Sequence, residues 1–349
     1  MTKSKIRIIY LTKPYKNYNS AGYQSDFIKY IQIFFEVKII ECDIAYLPEH
    51  LQTNSKVLKS TLDKIINDYD FLMFGHHWLG DHPTENIVPL GLNFLADLNI
   101  KKIAVLNKEW IRLAEKIKYI NFLGCTHLIS HHPGTSKLLK DNLLTTKIKI
   151  ITSLFGLDID KCSLNINHSQ KKYDLFFSGI LHNPLWPNED QALRIGIEDI
   201  LFHKLGKVRL LPKYPKIYWN SFTGSKLVDL LNRYKRLDTK NYFDIMAKSH
   251  VVPVTLSMGI ISPRLFEALA SGAVPLVDKS DTYKIIDNLE SHVVFFDKNL
   301  KGFKDSWSDA INLSKNPKTI IQNREFVFDN HSWECRFSSL QEKLELISH

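Results

Sequence analysis

The chain has 349 residues, of which 44% are hydrophobic, 24% charged and 11% aromatic, and its formal net charge is +9. This composition excludes a disordered, collagenous or low-complexity chain and is too long for one small core, so two domains are expected. Lysines and arginines are spread along the whole length with no basic tail, which favours small anionic ligands or an acidic membrane surface over a nucleic-acid stripe.

The N-terminal half alternates strands and helices. Lys5–Leu11 (KIRIIYL) is a β-rich run, followed by a polar loop and an amphipathic helix from about Gln24 to Phe35. Strands are expected at Glu36–Cys42, Tyr69–Phe74, Lys102–Leu106, Thr126–Ser130 and Ile148–Thr152. Helices are expected between them at Leu58–Asn67, Asn86–Leu98, Trp110–Phe122 and Gly134–Asp141. Such alternation predicts an α/β fold with a parallel sheet.

A second series follows a polar, unpatterned connector, Gly156–Lys172. Strands are expected at Tyr173–Ser178, Lys207–Leu211, Val251–Thr255, Ala273–Val277 and His292–Phe296. The intervening helices are placed at Gln191–Leu205, Leu227–Tyr234, Tyr242–Ala247, Pro263–Ser271 and Tyr283–Leu289. Two more, Phe303–Ser314 and Ser332–Ile347, close the chain. Ligands of doubly wound sheets lie outside the carboxyl ends of the strands, and with two such domains the cleft between them is the expected site.

The N-terminus lacks a signal-peptide pattern and no run reaches the ~20 apolar residues of a membrane span. Cys42, Cys125, Cys162 and Cys335 form no Cys-x-x-Cys pair and read as reduced thiols. The expectation is a cytoplasmic protein, at most peripheral on the inner face of the cell membrane. Dinucleotide, P-loop, nucleophile-elbow and zincin motifs are all missing.

The most informative stretch is GIISPRLFEALASGAVPLVDKSD, Gly259–Asp281. Ser262 is a favoured N-cap and Pro263 a favoured first helical residue. The helix start therefore faces the carboxyl end of strand VVPVT and suits an anion such as a diphosphate. Arg264 brings a fork-shaped donor for phosphate oxygens, and Glu267, one turn on, reaches two ribose hydroxyls. The competing reading is a plain cap, a solvated Arg264 and a Glu267 paired with a lysine.

SPRLFEALASGAVPLV resembles the donor-binding helix of group 1 glycosyltransferases with the GT-B fold. Their usual form is Glu, seven residues, then Glu-Ala-Met-Ala-x-Gly-x-Pro. Glu267 matches the second Glu, which in that family holds the ribose, while Gly259 stands where the first Glu belongs. This departure resembles the CgeB-like branch, and it leaves the identity of the sugar open. SLFGLDIDK (Ser153–Lys161) resembles the family's Gly-Val-Asp hinge, and YDLFFSGIL (Tyr173–Leu181) its first nucleotide-domain strand with the turn at Gly179. NHSWECRFSSL (Asn330–Leu340) resembles the closing His-Thr-Trp/Tyr-x-x-Arg helix. The resemblance implies that Arg209 and Lys213 neutralise the departing diphosphate, where other enzymes use a metal. With Arg209 and Lys213 in that role no metal is expected, nor any cofactor beyond the nucleotide-sugar as substrate.

Three N-terminal segments follow strands: His76-His77-Trp78, Asn107-Lys108-Glu109-Trp110 and His131-His132-Pro133. Glu109 is the candidate base, with His77 and His131 as candidates for proton transfer or sugar hydroxyls and Trp78 and Trp110 as stacking platforms. Structural roles for the histidines stay open. Adjacent histidines diverge on a strand, which disfavours a metal site.

The expected architecture is α/β, GT-B, with two Rossmann-like domains facing across a cleft. Residues 1–160 form the acceptor domain, 172–325 the nucleotide-sugar domain, and 326–349 a C-terminal helix returning to the first. The expected activity is a hexosyl- or pentosyltransferase moving sugar from a nucleotide-diphospho-sugar to a glycan or lipid-linked acceptor. Retention, metal independence and a role in bacterial surface polysaccharide complete that expectation. The alternatives are a nucleotide-sugar epimerase, a phosphosugar-donor transferase, or a non-catalytic glycan-binding protein.

Overall fold

A computed structural model describes residues 5–12, 22–42, 48–76, 78, 92–106, 111–132, 141, 147–162, 171–180, 188–200, 216–222, 237–256 and 259–348. The chain divides into two compact units, one of Met1–Phe155 with Trp333–His349 and one of Gly156–Ser332. None of the four cysteines is in a disulfide, and Cys42, Cys125 and Cys162 are buried.

The first unit holds a six-stranded parallel sheet of β1 (Arg7–Thr12), β2 (Glu36–Glu41), β3 (Phe71–Phe74), β4 (Lys101–Leu106), β5 (His127–Ser130) and β6 (Lys149–Thr152). Its spatial order is β2-β1-β3-β4-β5-β6. The central strands are buried on both faces, which explains why their sequences are continuous apolar runs. Side chains alternate between the faces with period two. Ile9, Leu11, Leu72, Phe74 and Leu106 join one core with α2 (Pro48–Ile65), α3 (Phe94–Asp97) and α4 (Leu113–Phe122). Ile8, Tyr10, Met73, Val105 and Ile129 join the opposite core with α1 (Gly22–Phe34) and the C-terminal helix, Trp333–Ser348.

The second unit holds five parallel strands: β7 (Tyr173–Ile180), β8 (Ile217–Phe222), β9 (Ser249–Val254), β10 (Val274–Asp278) and β11 (Val294–Phe296). Their order is β11-β10-β9-β7-β8. Its helices are α5 (Asn188–Asp199), α6 (Thr239–Ala247), α7 (Arg264–Ala270), α8 (Phe303–Ser314) and α9 (Pro317–Asn330). Leu175, Phe177, Val251, Val274 and Leu276 pack one face against Leu193, Ile197, Phe303 and Ala310.

Renumbered within its own unit, each sheet begins 2-1-3-4-5. Connections leave such a sheet to opposite sides of its first strand, so the switch points lie between β1 and β3 and between β7 and β9. That is where a doubly wound sheet opens a crevice at its carboxyl edge.

Several elements depart from the expected ones. Strand β8 was not anticipated; the strand expected there, Lys207–Leu211, and the helix Leu227–Tyr234 lie outside the described residues. Helix α9 was also missed, although Asn316-Pro317 is a start signal: Asn316 Oδ1 accepts from Lys318 N (3.0 Å) and Pro317 is the first helical residue. The helix expected at Tyr283–Leu289 is two short 3-10 turns, Asp281–Ile285 and Leu289–Ser291, interrupted by Asn288 with φ 58°. A left-handed residue cannot continue a right-handed helix.

Candidate functional site

The loop from β9 to α7 is held from beneath by buried polar contacts. Arg194 Nε on α5 donates to Thr255 Oγ1 (3.0 Å), and Leu256 N–H donates to Asp278 Oδ1 (2.7 Å). Asp278 is fully buried, and burial raises its pKa. At Gly259 the backbone takes φ 76°, a conformation that disfavours every residue with a Cβ. The missing carboxylate at this position thus coincides with a turn built for glycine.

Helix α7 begins at Arg264, one residue later than expected, with Pro263 just before it. Ser262 still serves the helix start, because Arg264 N–H donates to Ser262 Oγ (3.3 Å). The helix stops at Gly272, φ 73°, where Gly272 N–H reaches Leu269 O and Ala273 N–H reaches Ala268 O. Leu265, Phe266, Ala268 and Leu269 bury the inner face. Arg264 and Glu267 remain half-buried on the other side of the turn.

Arg264 spans the switch point of the second sheet. It follows β9, yet its Nη2 donates to Ser178 O near the carboxyl end of β7 (2.6 Å), and its guanidinium lies 5.3 Å from the Phe177 ring centroid. Gly179 leaves room for the contact, since a Cβ there would lie 2.9 Å from Arg264 Nη2. A side chain at 179 would force the end of the Arg264 side chain to shift. Beside it, Asn220 Nδ2 on β8 donates to Ser178 Oγ (3.3 Å).

Glu267 is reached from a different element. Tyr242, in the first turn of α6, donates its hydroxyl to Glu267 Oε2 (2.8 Å) and accepts from Arg264 Nε (3.4 Å). Burial and then the Glu267 charge push the Tyr242 ionisation up, so it stays a neutral phenol. Cys162 is pushed up to about 12, first by burial and then by Glu267, so this thiol is also neutral. At the other end of α7, Arg324 Nη1 donates to Ala270 O (2.7 Å) and satisfies one terminal carbonyl. Tyr242 and Ser178 were not singled out from sequence, and neither carries a local signal. Only the sheet order brings them to α7.

Histidines occupy the corresponding switch point of the first unit. Tyr10 OH lies 3.4 Å from His76 Nδ1, His76 Nε2 lies 2.7 Å from His131 Nε2, and His131 Nδ1 lies 2.6 Å from Ser153 O. A carbonyl only accepts, so His131 carries its proton on Nδ1 and accepts at Nε2 from His76. His131 is fully buried and His76 nearly so. Both His131 nitrogens are engaged, an arrangement that ties the ends of β3, β5 and β6 together. Trp78, expected as a sugar platform, is instead core: it is fully buried, with its ring 5.7 Å from that of Phe74. Glu109, His77, Trp110, Arg209 and Lys213 lie outside the described residues.

The buried histidines make stability depend on pH. Burial, aided by the Arg336 charge and opposed by the Ser153 carbonyl, lowers the His131 pKa from 6.5 to about 4. His132 shifts in the same direction. Below pH 6.5 the unfolded chain takes up a proton that the folded chain refuses. Stability is therefore full above pH 6.5 and falls as pH drops towards 4, by about 3 kcal/mol for His131 alone. Urea unfolding at pH 7 and pH 4.5 measures this loss, and His131→Asn should reduce the difference between the two.

Among the described residues no group of three His, Cys, Asp or Glu side chains converges as metal ligands would, and no helix is long and apolar enough to cross a membrane.

Residues 194–342 match the model of a family described as "Glycosyl transferase-like". No curated relative matches the chain. Sucrose-phosphate synthase of Thermosynechococcus elongatus is similar in structure, with a TM-score of 0.62 and 11% identity over 99% of this chain and 100% of that one. The catalytic domain of Arabidopsis thaliana starch synthase IV, bound to ADP and acarbose, has a TM-score of 0.60 and 10% identity over 99% of each chain. Anabaena HepE in complex with UDP and glucose has a TM-score of 0.54 and 10% identity over 97% of this chain and 99% of that one. The fold is accordingly GT-B, two Rossmann-like units with parallel sheets, and the second unit holds most of the residues that match the family model.

Proposed function

We propose that this protein transfers a sugar from a nucleotide-diphospho-sugar, held by the second unit, to a glycan or lipid-linked acceptor. The observation that carries the reading is the Arg264–Tyr242–Glu267 constellation at the β7/β9 switch point, set at the carboxyl edge of the sheet. Among the described residues Nε and Nη2 hold the Arg264 side chain in place, and Nη1 is assigned to diphosphate oxygens. Glu267 accepts from ribose hydroxyls. In transfer, the bond from the anomeric carbon to the diphosphate oxygen breaks and the acceptor oxygen bonds that carbon, losing its proton. Arg264 faces the charge that develops on the leaving diphosphate, so its effect grows towards the transition state.

The Arg-Leu-Phe-Glu sequence and the glycine turn at 259 favour the CgeB-like branch and a sugar pocket without the usual first carboxylate. In the same reading the reaction is retaining and metal-independent and serves surface polysaccharide synthesis. The net charge of +9 favours work beside an anionic membrane surface. Glu109 and His77 stay in this reading as acceptor-side groups. We assign His131 to holding the sheet rather than to proton transfer. Calorimetric titration with UDP-, GDP-, ADP- and CMP-linked compounds tests the proposal. One nucleotide class is expected to bind well below millimolar, and binding by none would refute it.

A further inference from the structure

We infer that Tyr242 is a positioning residue that joins Arg264 and Glu267 into one preset unit, so that both meet a nucleoside diphosphate together. The inference rests on the reading of this site as a nucleotide-diphosphate site. Tyr242 lies outside the β9–α7 motif and reaches it from α6, where Asp238 fixes the first turn by accepting from Asn241 N–H (2.8 Å). Its ring is braced by Phe176 and Phe243, each with a centroid 5.5 Å away.

The direction of the hydrogen bonds follows from what each atom can do. Arg264 Nε–H only donates and a carboxylate only accepts, so the hydroxyl takes one bond from Arg264 and gives one to Glu267. Arg264 and Glu267 stand three residues apart on one helical turn, the spacing at which such side chains pair directly. A direct pair would withdraw both groups from a ligand. The hydroxyl between them engages one edge of each, while Arg264 Nη2 reaches Ser178 O. Groups held in their binding geometry lose less freedom when ligand arrives.

Tyr242→Phe removes only the hydroxyl and keeps the ring contacts. Arg264 and Glu267 are half-buried, so water can replace the lost partner and the fold should survive with an unchanged melting temperature. Calorimetry on wild type, Tyr242→Phe, Glu267→Ala and the double variant, with UDP, GDP, ADP and CMP, tests the inference. Tyr242→Phe should raise Kd about ten-fold. In the Glu267→Ala background the same change should cost under about two-fold, since residues acting through each other are non-additive. Wild-type affinity in Tyr242→Phe, or an equal loss in both backgrounds, overturns the inference while leaving the nucleotide site standing. If wild type binds no nucleotide, the reading of the site fails and this inference fails with it.

Discussion

Glu267→Ala and Arg264→Ala should each weaken nucleoside-diphosphate binding by about ten- to a hundred-fold, the range for losing hydrogen bonds to a charged group. The two losses should differ in kind. Glu267 is assigned to the ribose, so its removal should weaken the free nucleoside and the diphosphate by a similar factor. Arg264 is assigned to the diphosphate, so its removal should spare the nucleoside and make diphosphate binding less sensitive to salt. Arg264→Lys should not restore affinity, because the guanidinium fork that reaches Ser178 O, Tyr242 and ligand at once has no equivalent in an ammonium. Where turnover is measured, Arg264→Ala should lower kcat about a hundred-fold, as expected for a donor to charge that develops in the transition state. Calorimetry with matched nucleoside and nucleoside-diphosphate pairs separates the two roles. Wild-type affinity in Glu267→Ala sinks the donor-site assignment.

Part of this site was legible in the sequence because it is written locally. Ser262, Pro263, Arg264 and Glu267 lie within six consecutive residues, and Gly272 marks the end of the helix they begin. The same holds for the sheets, whose central strands are uninterrupted apolar runs and whose first unit follows the expected alternation. Less legible was everything fixed by sheet order. Tyr242 comes to Glu267 across 25 positions and Ser178 to Arg264 across 86. No spacing rule relates residues that meet only because β9 and β7 are neighbours. The histidines are hard to read for a related reason. His76 and His131 follow strands, as catalytic groups often do, yet the short 2.7 Å bond between them turns both rings inward. The sequence shows the strand end but not which way the side chain leaves it. The polar strand β8 escaped because Asn220 and Ser221 break the apolar run that marked the other strands.

Phe337→Ala should destabilise the first unit by about 3–5 kcal/mol, the usual cost of emptying a buried aromatic site. Phe337 comes from the far end of the chain, yet it sits within one core with α1. Its ring is 4.9 Å from Phe27, 5.9 Å from Phe34 and 6.3 Å from both Tyr30 and Phe35. It is 1% exposed, and Trp333, Leu340 and Leu344 line up beside it along the buried face of the C-terminal helix. These four residues cover one side of the sheet together with α1, so the unit cannot complete that core from residues 1–155 alone. A chain ending at Ser332 should therefore leave the first unit unfolded or aggregation-prone. Leu346→Ala on the same helix is the matched control: it is 83% exposed and should change stability by no more than about 0.5 kcal/mol. Urea unfolding followed by tryptophan fluorescence reads the difference. A cost below about 1 kcal/mol for Phe337→Ala would mean that the core closes without the helix. The expected loss would instead make the last seventeen residues as much a part of the first unit as its sheet.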